Sequence, residues 1–449
     1  MDEKSKSPSR RKFIEDTAII SFMGAIGANH LFTSCTSRRK KHVPPVFPER
    51  APDGPLLKAG LIGCGSRGTG AAFNFIDAGP NLKITALADV FPDRIDICRK
   101  SLNEQRGVDI PDQNCFAGFD AYQRVIESDV DIILEASASH FRPRHFDAAI
   151  RARKHVFLEK PAGIDPVGVR SVMASGKMAE SAGLCVVAGT QYRYQHDYVK
   201  TYSMVKNGAI GNLVSANCFY NRGGPGHVTR QEGWSDMEAM LRNRANWCWL
   251  TGDSAVNLLI HQIDILNWFF EKFPYKATGF GGRHRRPTGD MYDFFSVDFV
   301  FNDERRYQGM CREIDGCSNN VGQILFGTKG YTNCQNKIFD YNGELIWEYE
   351  YPPDEDGQPT GRVSVSPYDQ EIINLVTAIR TNNPVNETQN LASSTLVAIM
   401  GRESAYTGKE ITWDDMMNSD LRIGPNEYHM GSYPDIKPVS PVPGIARTI

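Results

Sequence analysis

The chain is poor in the cysteine patterns that mark disulfide frameworks and zinc sites. It has ten cysteines in 449 residues, but no two of them form a C-x-x-C pair. The closest two in the body of the chain, Cys311 and Cys317, fall in a stretch with loop character. We therefore expect mostly free, buried thiols and predict neither a disulfide framework nor a metal site.

The sequence also lacks a strong excess of charge of either sign. Fifty lysines and arginines stand against 53 acidic residues, which gives a formal net charge of −3, and no basic stripe interrupts the body of the chain. This balance argues against a nucleic-acid partner. There is no internal repeat, and 41% hydrophobic content over 449 residues is ordinary for a globular protein of two or three domains.

No long uninterrupted apolar run is present, and the one extended apolar stretch, 17–32, is broken by glycines. It follows Ser9-Arg10-Arg11-Lys12, which matches the twin-arginine export pattern, so we predict an export signal over 1–35. Cys35 ends a loose lipobox and is a possible lipid anchor. These features predict a protein exported folded to the periplasm, either free there or held on the membrane facing it.

The rest of the chain divides by its periodicity. Residues 36–56 are basic and then proline-rich, as in a linker or surface arm. Strand and helix patterns alternate over 57–188, which predicts a doubly wound parallel sheet of the Rossmann type. Residues 189–410 predict an α+β domain with an open, mostly antiparallel sheet, and a helix near 389–407 is expected to pack back on the first domain. Residues 411–449 are predicted to be a C-terminal tail, which from Asn426 on has many prolines and no periodicity. The whole is an α/β architecture.

A glycine-rich turn carries the most informative signal. Gly63, Gly65 and Gly68 form a G-x-G-x-x-G pattern between a strand candidate and a helix candidate, and Asp89 ends the next strand. Such glycines let the backbone approach a pyrophosphate at a helix N-terminus, where N–H groups are free. A carboxylate at Asp89 would accept hydrogen bonds from a ribose 2′-hydroxyl and repel a 2′-phosphate. We therefore predict a dinucleotide site for NAD, with NADP less favoured.

Two further residues, Lys160 and His261, are candidates for the catalytic chemistry. Lys160, in Glu159-Lys160-Pro161, directly follows a predicted strand, at the sheet edge where α/β folds bind ligands. His261 lies in a predicted helix, 253–271, with Asn257 and Asp264 at helical spacing on the same face. A near-neutral imidazole can exchange a proton with a hydroxyl group, although a structural histidine would give the same pattern.

Taken together, the glycine turn, Asp89, Glu159-Lys160-Pro161 and His261-x-x-Asp264 resemble the Gfo/Idh/MocA oxidoreductase family, in particular its exported twin-arginine members. The resemblance spans about residues 57–410. It implies hydride transfer between a nicotinamide and a ring carbon of a sugar or cyclitol, with Lys160 polarising the reacting oxygen and His261 as general acid/base.

The resemblance also assigns the remaining site residues. Asn257 departs from the pattern, because many dehydrogenase members carry an acid four residues before the histidine; Asp264 would orient the histidine or bind substrate. Cofactor contacts are expected from Gly63, Gly65, Ser66, Arg67, Gly68, Asp89, Ser137, Ser139, His140, Glu159, Lys160 and Gln191, and substrate contacts from Tyr192, Arg193, Arg222 and Trp247.

Alternative functions stay open at this point. One alternative is a redox-assisted glycoside hydrolase with a tightly bound NAD, although the His-Gly-Gly stretch of such relatives is not found in this sequence. A non-catalytic sugar-binding lipoprotein is disfavoured by the presence of both Lys160 and His261. By analogy with the family, we also expect a homodimer or homotetramer with a small carbohydrate substrate.

Overall fold

The computed structural model describes residues 41–354 and 356–445. The predicted export signal, its lipobox and Cys35 lie outside the described residues. Within the described ranges, no helix is both long and apolar enough to cross a bilayer.

The first domain is a six-stranded parallel sheet of order β3-β2-β1-β4-β5-β6, with helices between successive strands. Its central strands β1, β4 and β5 are buried nearly throughout, as a parallel sheet covered on both faces requires. The Rossmann prediction is thereby confirmed. The strands are β1 Leu57–Ile62, β2 Leu82–Asp89, β3 Cys115–Ala117, β4 Ile132–Glu135, β5 His155–Leu158 and β6 Val186–Ala188, and the helices are α1 Ser66–Asp77, α2 Pro92–Arg106, α3 Ala121–Glu127, α4 Arg142–Arg151 and α5 Pro166–Ser181.

The second domain is built on a nine-stranded sheet of order β14-β13-β12-β11-β7-β10-β9-β8-β15. All its strand pairs are antiparallel except β7 with β10. The mostly antiparallel prediction is confirmed, with this one parallel pair added. Its strands are β7 Leu213–Arg222, β8 Lys276–Gly282, β9 Phe294–Val300, β10 Arg306–Glu313, β11 Asn320–Gly327, β12 Gly330–Thr332, β13 Lys337–Asp340, β14 Leu345–Glu348 and β15 Ile411–Thr412.

Seven further α-helices follow the first domain in the described part of the chain: α6 His196–Lys206, α7 Asp236–Arg242, α8 Cys248–Thr251, α9 Ile260–Phe270, α10 Pro367–Arg380, α11 Thr388–Thr407 and α12 Trp413–Asn418. Of these, α10 packs on the core of the first domain. Strand β9 shows why the helices cover one face. Phe295, Val297 and Phe299 are buried, whereas Ser296 and Asp298 between them are only partly so. This alternation places one face of the sheet against helices.

Helix α11 joins the two domains. It packs against β8 of the second domain and α5 of the first. Gly401 permits a close approach to the sheet, since a Cβ there would lie 2.8 Å from the ring of Phe299. The second domain is thus fixed against the first by a buried helix, and this contact sets the two halves of the candidate site relative to each other.

The segment predicted as a helix over 253–271 is helical from 253 to 270 but irregular in its first half. Asp253 has a φ of +70° and accepts hydrogen bonds from the N–H groups of Ser254 and Tyr292. A π-helical turn, Ala255–Leu259, then precedes α9. Such a wide turn interrupts the regular spacing of an α-helix. Asn257 lies inside it and therefore loses the regular i, i+4 relation to His261.

Candidate functional site

The glycine turn between β1 and α1 has the geometry that a dinucleotide phosphate needs. Gly63 has a φ of +97°, and a Cβ there would lie 2.7 Å from the backbone of Ala136. A Cβ on Gly68 would lie 1.8 Å from the carbonyl oxygen of Gly63, so only glycine fits. Gly65, in contrast, has no atom within 4 Å of its Cβ position and faces open space, where Ser66 begins α1. The turn therefore leaves the N-terminal N–H groups of α1 accessible from the open space at Gly65, which is called the glycine cradle below.

Asp89 is held beside this turn. Its Oδ2 accepts the N–H of Cys64 at 2.8 Å, and its Oδ1 accepts the N–H of Phe91 at 3.0 Å. Burial raises the pKa of the carboxyl, and these backbone hydrogen bonds oppose that shift. Because each oxygen has a further lone pair, the carboxylate can still accept hydrogen bonds from a ribose that enters the adjoining space.

That space is an open cleft of about 760 Å³ along the carboxyl edge of the parallel sheet. Its lining is contributed by the loops after β1, β2, β3 and β4 and by the segment at the end of α7. It includes Gly63, Gly65, Ser66, Arg67, Gly68, Asp89, Phe91, Arg94, Phe119, Tyr122, Ser137, Phe141, Leu241 and Arg244. The glycine cradle, the helix N-terminus and the carboxylate at its edge fit a dinucleotide.

The three residues predicted after β4 separate in the structure. Ser137 lines the cleft, and its hydroxyl donates to Glu135. Ser139 is buried, and His140 turns away from the cleft to share a hydrogen bond of 2.7 Å with the hydroxyl of Tyr428. Burial lowers the pKa of His140 to about 3. Its surroundings are those of a neutral packing residue.

Arg67 and Glu159 form an ion pair below the glycine turn. The Nε of Arg67 donates to Glu159, and a second nitrogen lies 3.3 Å from Glu371. Glu159 also accepts the backbone N–H of Lys160 at 3.0 Å. The pair therefore connects the glycine turn to the segment that carries the lysine, although Glu159 itself does not line the cleft.

Lys160 points away from Glu159 towards the second domain. Its Nζ donates a hydrogen bond of 2.6 Å to the carbonyl oxygen of Asn257, in the π-helical turn. Burial lowers the pKa of Lys160 to about 8; the Glu159 carboxylate opposes that shift, and the charges of Arg142 and Arg244 add to it. Asn257 thus contributes its backbone oxygen to the site, where the sequence predicted a contribution of its side chain.

His261 lies opposite this ammonium group. Its ring stacks on Tyr220 with centroids 6.0 Å apart and meets Tyr192 edge-on at 5.8 Å. Burial, and then the charge of Lys160, lower the pKa of His261 well below its usual value. The imidazole is consequently neutral at physiological pH and can accept a proton. Tyr220 had no recognisable signal in the sequence, because strand tyrosines are common.

The carboxylate of Asp264 forms an ion pair with Arg193. Its carboxylate accepts two hydrogen bonds from Arg193, at 2.7 and 2.9 Å, and a third from the hydroxyl of Ser394. Both ionic side chains are largely buried. Asp264 therefore positions Arg193 and the turn after β6. A small cavity of about 210 Å³ is lined by Lys160, Thr190, Tyr192, Ile260, His261 and Asp264.

Three other predicted contact residues line neither of these two cavities. Gln191 is buried in the turn after β6, and Arg222 lies 3.4 Å from Glu313 at the end of β7. Trp247 belongs to a buried apolar cluster with Phe91 and Phe141, on the cofactor side of the molecule. Their predicted roles stay predictions.

One buried residue that the sequence did not reveal supports both loops of the site. Arg142 donates to the carbonyl oxygen of Ser137 at 2.8 Å and to that of Pro161 at 2.9 Å. It thereby ties the loop after β4 to the segment of Lys160. An arginine at the start of a helix is usually solvent-exposed, so its sequence position gave no indication of this role.

A cleft with a glycine turn and Asp89 at its edge, together with a second small cavity lined by a half-buried lysine and histidine, is the arrangement of a two-domain, nucleotide-dependent oxidoreductase. Family comparison agrees. Residues 57–190 match the oxidoreductase family with an NAD-binding Rossmann fold, and residues 198–332 match the GFO/IDH/MocA C-terminal domain. The chain belongs to the Gfo/Idh/MocA oxidoreductase family, and its first domain is an NAD-binding Rossmann domain.

Curated relatives of this chain include several inositol dehydrogenases. The chain is 26% identical over 238 residues to inositol 2-dehydrogenase of Acidothermus cellulolyticus, which covers 53% of this chain and 60% of that protein. It is 28% identical over 157 residues to myo-inositol 2-dehydrogenase of Thermotoga maritima, covering 34% of this chain and 42% of that protein. The chain thus spans about half the length of the curated relatives it matches.

Solved structures show the same fold at low sequence identity. Scyllo-inositol dehydrogenase from Lactobacillus casei with bound NAD(H) and scyllo-inositol superposes with a TM-score of 0.58 at 19% identity, covering 80% of this chain and 99% of that one. Aldose-aldose oxidoreductase from Caulobacter crescentus gives a TM-score of 0.61 at 16% identity, with the same coverage of 80% and 99%.

Proposed function

We propose that this protein is an NAD-dependent oxidoreductase that transfers a hydride between the nicotinamide and a ring carbon of a sugar or cyclic polyol. The observation that carries the proposal is the pairing of Lys160 and His261 in a small cavity beside the dinucleotide cleft. The inositol dehydrogenases among its relatives support a ring-shaped polyol as the substrate class.

Lys160 and His261 would have separate roles in the oxidation of the substrate hydroxyl group. When bound, the nicotinamide ring accepts the hydride from the substrate carbon. His261, neutral because it is buried, would take the hydroxyl proton. Lys160, held by the carbonyl oxygen of Asn257, would donate a hydrogen bond to the same oxygen and stabilise the negative charge that develops there.

Asp89 supports NAD over NADP as the cofactor. Its carboxylate stands at the edge of the cleft with a spare lone pair on each oxygen, and it would repel a 2′-phosphate. Arg94 lines the same end of the cleft, so the preference rests on whether the carboxylate or the arginine lies nearer to the ribose.

We further propose that the chain is exported folded by the twin-arginine route and that Cys35 carries a lipid in the mature protein. The motif Ser9-Arg10-Arg11-Lys12 supports this. Replacing Arg10 and Arg11 by lysine should leave the protein in the cytoplasmic fraction of a cell that otherwise exports it. An unchanged amount of the variant protein in the periplasm or membrane would contradict the proposal.

We also propose that the protein forms a homodimer or homotetramer. The second-domain sheet exposes apolar side chains on several strands, among them Phe280, which is 65% exposed, and Val321, which is 48% exposed. Light scattering on the purified protein should give a mass of two or four chains, and a single-chain mass would contradict this.

The activity is tested with purified protein, added NAD and a panel of cyclitols, aldoses and aryl glycosides, followed by the absorbance of reduced nicotinamide. Net reduction with a cyclitol or sugar, lost in Lys160→Met, is the expected result. Lys177→Met, which removes an exposed lysine on α5, is the matched control and should keep full activity. Aglycone release without net reduction would replace the proposal with a redox-assisted hydrolase.

A further inference from the structure

A segment of the second domain reaches across to the cofactor cleft. Between β7 and α9 the chain leaves the sheet, forms α7 and passes beside the loops that follow β2 and β3. Leu241 and Arg244 from this segment line the cleft together with Asp89 and Arg94 of the first domain. The cleft is therefore completed by residues that lie outside the Rossmann domain.

Arg244 brings a positive charge that has no acidic partner at hydrogen-bonding distance. Over residues 41–354 and 356–445, its guanidinium group makes no side-chain hydrogen bond or ion pair, and neither does that of Arg94. The two like charges repel each other in the same cleft. Asp89, the one acid among the described residues that line this cleft, has a backbone N–H on each oxygen. An anionic ligand between the two arginines would relieve this repulsion.

The position of Arg244 and the chemistry of the cofactor together identify the part of a dinucleotide that it meets. Arg244 lines the same cleft as Gly63, Gly65 and Asp89. The anionic part of NAD is its pyrophosphate, and the open space at Gly65, where α1 begins, is where a Rossmann domain binds that group. A cation in the same cleft is therefore suited to the pyrophosphate.

The segment is anchored so that Arg244 is held over the cleft. Arg242 forms two hydrogen bonds of 3.1 and 3.2 Å with Asp93 at the start of α2, and its guanidinium lies 4.1 Å from the ring centre of Phe91. The C-terminal tail supports it from the other side, since Asp236 accepts the N–H of Tyr433 at 2.9 Å. A loosely attached loop would have neither contact.

We propose that Arg244 binds the pyrophosphate of the cofactor from the second domain, opposite the glycine turn, and so slows release of the cofactor. The inference deepens the proposed function, because it rests on the same NAD site. The dinucleotide would be held between a helix N-terminus on one side and an arginine on the other. Leaving the cleft would require loss of the arginine contact as well as loss of the contacts in the Rossmann domain.

The test measures binding alone, without a carbohydrate substrate. Arg244→Gln should weaken NADH and NADPH by the same factor, about 10- to 100-fold, because a hydrogen bond to a charged group contributes about 1.5–3 kcal/mol. The rate at which excess NAD displaces bound NADH, followed by nicotinamide fluorescence, should rise correspondingly. Arg244→Lys keeps the charge and should lose less. Arg50→Gln removes an exposed arginine of the N-terminal segment and should bind NADH as the unaltered protein does.

The other outcomes overturn the inference in distinguishable ways. Loss of NADPH affinity alone would place Arg244 on the 2′-phosphate, and equal loss of adenosine affinity would place it on the nucleoside. Unchanged NADH affinity and release rate would exclude any contact. None of these outcomes bears on turnover, so absence of dehydrogenase activity with normal NADH binding would contradict the proposed function and leave this inference intact.

Discussion

The dependence of activity on pH tests the assignment of Lys160 most directly. Burial lowers the pKa of its ammonium group to about 8, from an ordinary value near 10.5. If the charged form stabilises the reacting oxygen, kcat/KM for alcohol oxidation should fall as the pH rises through 8. One unit above that pKa, at about pH 9, only about a tenth of the lysine keeps its proton, so kcat/KM should be about a tenth of its plateau.

The acid side of the profile should behave differently. Burial and the charge of Lys160 lower the pKa of His261 well below 6.5, so the imidazole keeps its free base form as the pH falls. The loss of activity that its protonation causes should therefore lie well below pH 6.5. We expect a plateau that extends through neutral pH and ends near pH 8.

Lys160→Arg distinguishes this explanation from others. Arginine stays charged to above pH 12, so the variant should lose the fall near pH 8, although its planar group fits the carbonyl oxygen of Asn257 poorly and should lower the plateau. The measurement is initial rate against pH at low substrate, with NAD saturating. An unaltered protein whose kcat/KM is flat from pH 7 to 9.5, or a variant with the same fall near pH 8, would refute the assignment.

Two further predictions follow from neighbouring contacts. Asp89→Ser should weaken NAD by about 10-fold and improve NADP, because it removes a charge that repels the 2′-phosphate; equal changes for both cofactors, measured as dissociation constants, would contradict the role of Asp89. Arg193→Gln leaves the buried carboxylate of Asp264 unpaired and should lower the free energy of unfolding by about 3–5 kcal/mol, whereas Asp264→Leu combined with Arg193→Met should lose less. Denaturant unfolding of the single and double variants at Arg193 and Asp264 measures these losses of unfolding free energy. If the losses of the single variants simply add in the double variant, the two residues are not coupled.

Features that depend on local sequence spacing were predictable. The parallel sheet follows from alternating strand and helix patterns, and the glycine turn follows from a spacing that only a tight strand–turn–helix satisfies. The same holds for the alternation in β9, where Phe295, Val297 and Phe299 are buried as predicted. In each case the structure is dictated by the nearest ten to twenty residues.

Partners that meet through tertiary contacts were not predictable from spacing. Helical spacing placed Asp264 beside His261, but the carboxylate belongs to Arg193, which comes from a different element more than seventy residues earlier. A regular helix predicted a side-chain role for Asn257, yet a π-helical turn presents its carbonyl oxygen to Lys160 instead. No periodicity signals a π turn in advance.

The two domains contribute unequally to the candidate site, and this has a consequence for its specificity. The first domain supplies the glycine turn and Asp89, which would face the cofactor, and Lys160, which would face the oxygen that every alcohol carries. The second domain supplies His261 and Tyr220, while Tyr192 comes from the turn just beyond β6, and these would contact the substrate ring. Substitutions that change the preferred sugar should therefore fall among the latter residues and leave cofactor affinity unchanged, whereas Arg244, which lies in the second domain but lines the cofactor cleft, should act on the cofactor alone.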